Sequence, residues 1–320
     1  MISTDTICLV GPTACHKTEI SIMLAKHFDC EIISADSVSV YRDMDIGSAK
    51  PSKTEQEMVK HHLIDCVDPR DTSFSVAEYQ RLARLAICDI GSRGKTPLII
   101  GGSGLYVDAI YSDLSFAYPS DKKIRESLEK EYEDNPSKAY KKLLLIDAAT
   151  ADRLNPNDYK RVIRALEVYV CSGKTMSEYQ SGFEAVQSNK LYSSVKIGLT
   201  MDRERLYNRI EKRVNMMFDK GLIAEVQNLV DRGVTPASPA MQAIGYRQIV
   251  GYLNGDYNLP TAKELCIKDT RHFAKRQLTW FKRDKETTWF SLDDYSTIDD
   301  AVESIISYIS NKGENNAYCK

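Results

Sequence analysis

Thr6-Ile7-Cys8-Leu9-Val10-Gly11-Pro12-Thr13-Ala14-Cys15-His16-Lys17-Thr18 is the stretch from which the fold is read. Thr6–Val10 is a β-branched and apolar run that ends on a glycine. Beyond it, Glu19–His27 carries Ile20, Met23 and Leu24 at helical spacing. The turn between them, Gly11–Thr18, fits the phosphate-loop template G-x-x-x-x-G-K-[ST], except that His16 replaces the second glycine. The chemistry of such a turn is simple. Backbone amides at a helix N-terminus surround phosphate oxygens, and the helix dipole favours negative charge there. Lys17 would neutralise a terminal phosphate, and the Thr18 hydroxyl would ligate Mg²⁺. Gly11, Pro12, Thr13, Ala14, Cys15, His16, Lys17 and Thr18 are therefore the candidate diphosphate site.

Outward from this turn, strands and helices alternate. Glu31–Ser34 reads as a strand that leads to Asp36. Val76–Ser92 reads as a helix with Tyr79, Leu82, Ala83 and Ala86 on one side, and Leu98–Ile100 as a strand closed by Gly101-Gly102. This order predicts a parallel sheet with helices on both faces. From Ser120 to Gln187 the pattern is helical, punctuated by Asn135-Pro136 and Asn155-Pro156. Strand character returns at Val195–Thr200. A helix pattern follows over Arg203–Leu229, with Gly221 as its point of breakage or kinking. Thr288–Ser291 and Ala301–Ile309 read as a last strand and helix. The expected class is α/β: a P-loop parallel-sheet core of residues 1–112 and 193–320, with a mostly helical insertion at 113–192.

Composition excludes several classes. No apolar run approaches the roughly 20 residues that span a bilayer. The N-terminus lacks a basic region followed by an apolar stretch. A cytoplasmic protein with no membrane partner is expected. Eight cysteines contain no Cys-x-x-Cys pair and match no zinc template, so they read as reduced thiols. His61-His62 reads as packing rather than metal binding, because neighbouring residues on a helix point apart. The net charge is −2, yet Arg271–Arg283 holds five Lys/Arg, one His and no acid, with Phe273, Trp280 and Phe281 interleaved. A local basic face of this kind can bind phosphate on a near-neutral protein.

A P-loop alone fits kinases, GTPases and ATPases. This chain has no Asn-Lys-x-Asp guanine reader, and its strand ends give Asp36-Ser37-Val38-Ser39 and Gly101-Gly102-Ser103-Gly104 instead of a Walker-B acid. Seven ordered segments carry a resemblance. They are the P-loop, Asp36-Ser37 through Asp45-Ile46-Gly47-Ser48-Ala49-Lys50-Pro51, His61–Asp65, Gly101–Tyr106, Arg161–Val168, Gln242–Arg247 and Arg276–Phe281. Together they resemble the bacterial tRNA dimethylallyltransferases of the isopentenyltransferase family, in the family's order, from residue 6 to about 290. Two departures stand out. The family usually has Ser-Gly at Cys15-His16 and threonine at Ser103, where serine keeps the hydroxyl.

The resemblance implies transfer of a dimethylallyl group from its diphosphate to the N6 amine of a tRNA adenosine next to the anticodon. Such a reaction needs donors for the leaving diphosphate and a base for the amine proton. Asp36, just past a strand end where open α/β sheets place their sites, matches the base. Lys17 and Arg213 would serve the diphosphate, Arg213 through its planar fork. The resemblance assigns tRNA contacts to Asp36, Ser37, Val38, Ser39 and Ser103, and to Gln242, Ala243, Ile244, Gly245, Tyr246 and Arg247. In the insertion it assigns them to Arg125, Lys160, Arg161, Val162, Ile163 and Arg164, which would grip the anticodon arm. A monomer that uses Mg²⁺ is expected, with diphosphate affinity weakened by His16. Three rivals share parts of this pattern. An adenylate isopentenyltransferase would need no insertion with Lys/Arg pairs, a small-molecule kinase would hydrolyse or transfer from ATP, and a non-catalytic RNA-binding paralogue would bind without transfer.

Overall fold

The computed structural model describes residues 6–111, 121–179 and 191–317. Six strands form one parallel sheet: β1 (Thr6–Val10), β2 (Cys30–Ala35), β3 (His61–His62), β4 (Thr96–Gly101), β5 (Ser194–Thr200) and β6 (Thr288–Ser291). Their order across the sheet is β3-β2-β4-β1-β5-β6. Every residue of β1 and β2 is buried, as expected of parallel strands covered on both faces. The α/β class is the one read from the sequence.

The chain divides into two compact units, one of residues 1–110 and 192–320 and one of residues 111–191. In the first, Leu9, Ile20, Leu24, Ile32, Leu98, Ile197 and Leu199 form a core between the sheet and the helices that flank it. The second has its own core, in which Leu128, Tyr132, Leu143, Val162 and Leu166 join the Lys122–Asp134, Pro136–Ile146 and Tyr159–Ser172 helices. The expected helical segments at 120 and 180–187 lie outside the described residues.

The Arg203–Leu229 pattern breaks at Gly221, as expected, into two helices, Arg203–Asp219 and Leu222–Asp231, where Gly221 takes φ 98°. Two elements differ from expectation. His61-His62 is strand β3, not helix. The Lys53–Met58 helix was not read, although Ser52-x-x-Glu55 signals it: the Ser52 hydroxyl accepts from the Glu55 amide while the Glu55 carboxylate accepts from the Ser52 amide.

At the other end of the sheet from the P-loop, Glu31, the second residue of β2, is buried within an ion cluster. Arg93 donates to it through both terminal nitrogens, and the His62 Nε2 lies 2.7 Å away. These bonds hold the Glu31 carboxyl down at about 2.

Candidate active site

The carboxyl ends of β1, β2 and β4 open into a cleft of about 280 Å³. Its floor is the P-loop. After β1 the chain turns at Gly11, φ 152°, where a Cβ would meet the Leu199 carbonyl oxygen at 2.8 Å. Ala14 and His16 both take left-handed backbone conformations, φ 64° and φ 59°, before the Lys17–His27 helix begins. The loop amides thus turn around one point at a helix N-terminus, a geometry that receives anions.

Neighbours hold this loop in shape. The buried Gln277 carbonyl accepts from the Thr13 amide at 2.8 Å, and its amide donates to the Gly102 carbonyl at 3.0 Å. Arg209 Nε donates to the Ala14 carbonyl at 2.8 Å. The Cys15 thiol, fully buried, donates to the Pro12 carbonyl at 2.9 Å, and burial pushes its pKa up. The His16 ring does not cap the helix. Its Nδ1 lies 2.7 Å from the Glu19 carboxylate, one turn on. The departure from glycine is therefore felt first in the His16 backbone, whose φ an L-residue adopts at a cost of about 1–2 kcal/mol.

Charge gathers on one side of the cleft. Lys17 donates to the Pro12 carbonyl at 2.7 Å, and burial lowers its pKa, with Arg213 adding to the effect. Arg213, half-buried, makes no hydrogen bond or ion pair among the described residues. Its pKa is lowered by burial, against the pull of Asp36. Asp36 is both a turn former and a wall of the cleft: one carboxylate oxygen accepts from the Val38 and Ser39 amides at 2.8 and 3.1 Å. Ser103 stands beside it. Its hydroxyl accepts from the Ser37 amide at 3.0 Å and donates to the Ser37 hydroxyl at 3.2 Å, while its carbonyl accepts from the Tyr106 and Val107 amides of the Gly104–Tyr111 helix. The Thr18 hydroxyl also faces the cleft and makes no hydrogen bond among the described residues.

The structure thus brings the P-loop, Asp36, Ser39 and Arg213 to one cleft. Ser37 is exposed next to it, and Val38 is half-buried. The other expected contacts divide. Gln242 and Arg247 are exposed, Arg247 paired with Asp269 at 2.7 Å, and Ala243 and Ile244 are half-buried. Tyr246 is corrected: its side chain is fully buried and cannot meet RNA, and Gly245 beside it is buried too. In the insertion, Lys160 and Arg161 are exposed. Arg125 and Arg164 reach the surface in part but both bond the fully buried Glu167 carboxylate, at 2.7 and 2.8 Å. Val162 and Ile163 are also corrected, because their side chains belong to the core of that unit. Sequence reasoning missed Gln277, Arg209 and Phe273 as cleft residues. Arg209 was within reach of it, one turn before Arg213 on the same helix.

Comparison with known proteins agrees with this architecture. The sequence model of the IPP transferase family matches residues 39–284. A tRNA dimethylallyltransferase of Anoxybacillus flavithermus is 44% identical over 307 residues, 96% of each chain. The full-length tRNA isopentenylpyrophosphate transferase of Bacillus halodurans is a structural neighbour, with TM-score 0.73, 39% identity and 99% of both chains covered. A eukaryotic dimethylallyltransferase acting on tRNA superposes with TM-score 0.79 at 26% identity, covering 97% of this chain and 80% of its own. With a family match over most of its length and relatives aligned nearly end to end, this chain belongs to the IPP transferase family.

Proposed function

We propose that this chain transfers a dimethylallyl group from dimethylallyl diphosphate to N6 of an adenosine next to the anticodon of a tRNA. The observation that carries this reading is one cleft that brings an anion-shaped loop together with the cations Lys17, Arg209 and Arg213 and the Asp36 carboxylate. The loop amides, Lys17 and Arg213 would bind the diphosphate and take up the charge that builds on it as it leaves. The N6 lone pair forms the bond to the allylic carbon. The carbon–oxygen bond breaks toward the diphosphate, and the amine proton passes to the Asp36 carboxylate. The Val38 and Ser39 amides hold one oxygen of that carboxylate in its turn, which fixes its orientation toward the cleft before substrate binds.

Mg²⁺ suits this donor set. It takes few protein ligands and keeps substrate phosphate oxygens and water, so the unengaged Thr18 hydroxyl is the protein ligand the cleft offers. When bound there, the ion would add positive charge beside the leaving diphosphate. The exposed cations of the insertion, Lys160 and Arg161, would meet the tRNA backbone, and the target base would leave the stack to enter the cleft.

Mass spectrometry of tRNA incubated with the protein, Mg²⁺ and dimethylallyl diphosphate tests the reading. The expected result is a gain of one prenyl unit on an adenosine of the anticodon loop. Prenylation of free AMP with unmodified tRNA would overturn it in favour of a nucleotide prenyltransferase. Binding of tRNA without any transfer would point to a non-catalytic RNA-binding protein.

A further inference from the structure

Glu225 lies on the Leu222–Asp231 helix and does not line the cleft. Its carboxylate accepts from three consecutive backbone amides of the loop after β2: Asp45 at 2.9 Å, Ile46 at 2.7 Å and Gly47 at 3.1 Å. The Tyr246 hydroxyl donates a fourth bond at 2.7 Å. Among the described residues Glu225 has no cationic partner, so neutral donors alone answer its charge. Successive amides that converge on one anion form a nest. Here the anion belongs to the protein itself.

The fit extends beyond these bonds. The Tyr246 ring lies against Gly47 so closely that a Cβ there would come within 2.5 Å of it. Lys50 ties the next stretch down, donating to the Tyr41 carbonyl at 2.9 Å and to the Asp45 and Asp65 carboxylates at 2.5 Å each. What this scaffold holds is catalytic surface. Ser48, Ala49 and Pro51 line the cleft, and Asp36 stands at the start of the same loop. The Gln242–Arg247 and Asp45–Pro51 segments are thus joined through Tyr246 and Glu225.

We infer that Glu225 is a positioning residue that keeps the Asp45–Pro51 wall of the cleft in its substrate-receiving conformation, a role that rests on the transferase reading above. Without the carboxylate, three amides lose their acceptor, and conformations that turn them to water gain population. Apparent affinity then falls by the fraction of molecules still competent, while saturating substrate restores the wall and preserves turnover.

Hydrogen exchange and steady-state prenylation kinetics on Glu225→Ala and Glu225→Gln, each in the full chain, test this. In Glu225→Ala, exchange at the Asp45, Ile46 and Gly47 amides should speed by about tenfold, with KM for tRNA rising by about tenfold and kcat changing less than about twofold. Glu225→Gln keeps one acceptor oxygen but sets an NH2 against the two donors of the other, so it should shift exchange and KM in the same direction as alanine, by a smaller factor. Should the alanine variant not fold, Glu225→Asp, one methylene shorter, should shift exchange and KM in the same direction. Fast exchange of these amides in the wild type would overturn the inference. So would faster exchange without a rise in KM, or a loss confined to kcat. A wild-type protein that transfers nothing, yet shows Glu225-dependent protection, would refute the transferase reading while supporting the anchored loop.

Discussion

Asp36 shows how one side chain can serve two ends. Its carboxylate closes a turn through two backbone amides and also walls the cleft, so its structural role leaves it placed for the proposed role of base. Asp36→Ala is expected to lower single-turnover transfer by roughly 10²–10⁴-fold, with tRNA binding nearly unchanged. A loss under about tenfold would remove Asp36 from the role of base. His16 is one of the residues at which the chain departs from the pattern it otherwise resembles. Its left-handed φ suits the glycine usual there, while its ring is engaged by Glu19. His16→Gly should therefore tighten dimethylallyl diphosphate binding at both pH 6 and pH 8, as titration would read. Tighter binding by the wild type at both values would show that the imidazole contributes to the site. At this scale the sequence was informative where a motif fixes both residue and place, as for Lys17 and Thr18. It was silent on Gln277, because nothing local reveals that a glutamine some 260 residues away braces the P-loop amide of Thr13.

At the scale of elements, two charged assemblies make separable predictions. Glu31 on β2 is held well below its ordinary carboxyl range by Arg93 and His62. A depressed carboxyl stabilises the fold above its unfolded pKa, and the benefit disappears as pH falls toward the folded value. The gap in thermal midpoint between wild type and Glu31→Gln should thus be full at pH 6, narrow below about 4.5 and nearly close by about 2. A gap that widens on acidification would contradict this linkage. The Tyr159–Ser172 helix carries the second assembly. Alanine at Lys160, Arg161 and Arg164 together should weaken tRNA binding and flatten its dependence on salt, each lost phosphate contact being worth about 0.7–0.9 in the slope. Most of that change should come from Lys160 and Arg161, since Arg164 is already bonded to Glu167. An unchanged slope would place the RNA elsewhere. The strands other than β3 and the Val76–Ser92 helix were legible from their apolar patterns, whereas the two histidines of β3 carry none. The Arg203–Leu229 pattern was legible both in its buried face and in its break, because the one glycine inside it can take the left-handed conformation that separates the two helices.

The whole molecule separates into a sheet core and an inserted helical unit with independent hydrophobic interiors. The two ends of the inserted unit lie side by side, with the Leu191 amide donating to the Tyr111 carbonyl at 3.4 Å. Replacing residues 113–190 with a short glycine–serine linker should leave a cooperatively unfolding core that still binds pyrophosphate, measured by calorimetry, but has lost tRNA affinity. Failure of the core to fold would mean that the insertion is part of its stability. The two-part composition could be read from the sequence because strand signals vanish between two stretches that have them. The assignment of buried and exposed faces within the insertion could not. Val162 and Ile163 sit between cations in sequence, yet helical geometry turns them inward.

The position of β1 has a consequence for how the chain is made. It is synthesised first, yet its two neighbours are β4, aligned at Ile7 with Leu98, and β5, aligned at Ile7 with Val195. At translation speeds of about 5–20 residues per second, the strand waits about 10–40 s before its second partner leaves the ribosome. During that interval Thr6–Val10, apolar and without acid or proline, offers an unpaired edge. Every pairing it finally makes spans about 90 residues or more, so loop-closure entropy slows the step that completes the sheet. The P-loop, whose shape depends on contacts from Arg209 and Gln277, can be set only after that step. The nascent chain therefore acquires its anion site only after Arg209 and Gln277 have followed, well over 100 residues behind the loop that defines it.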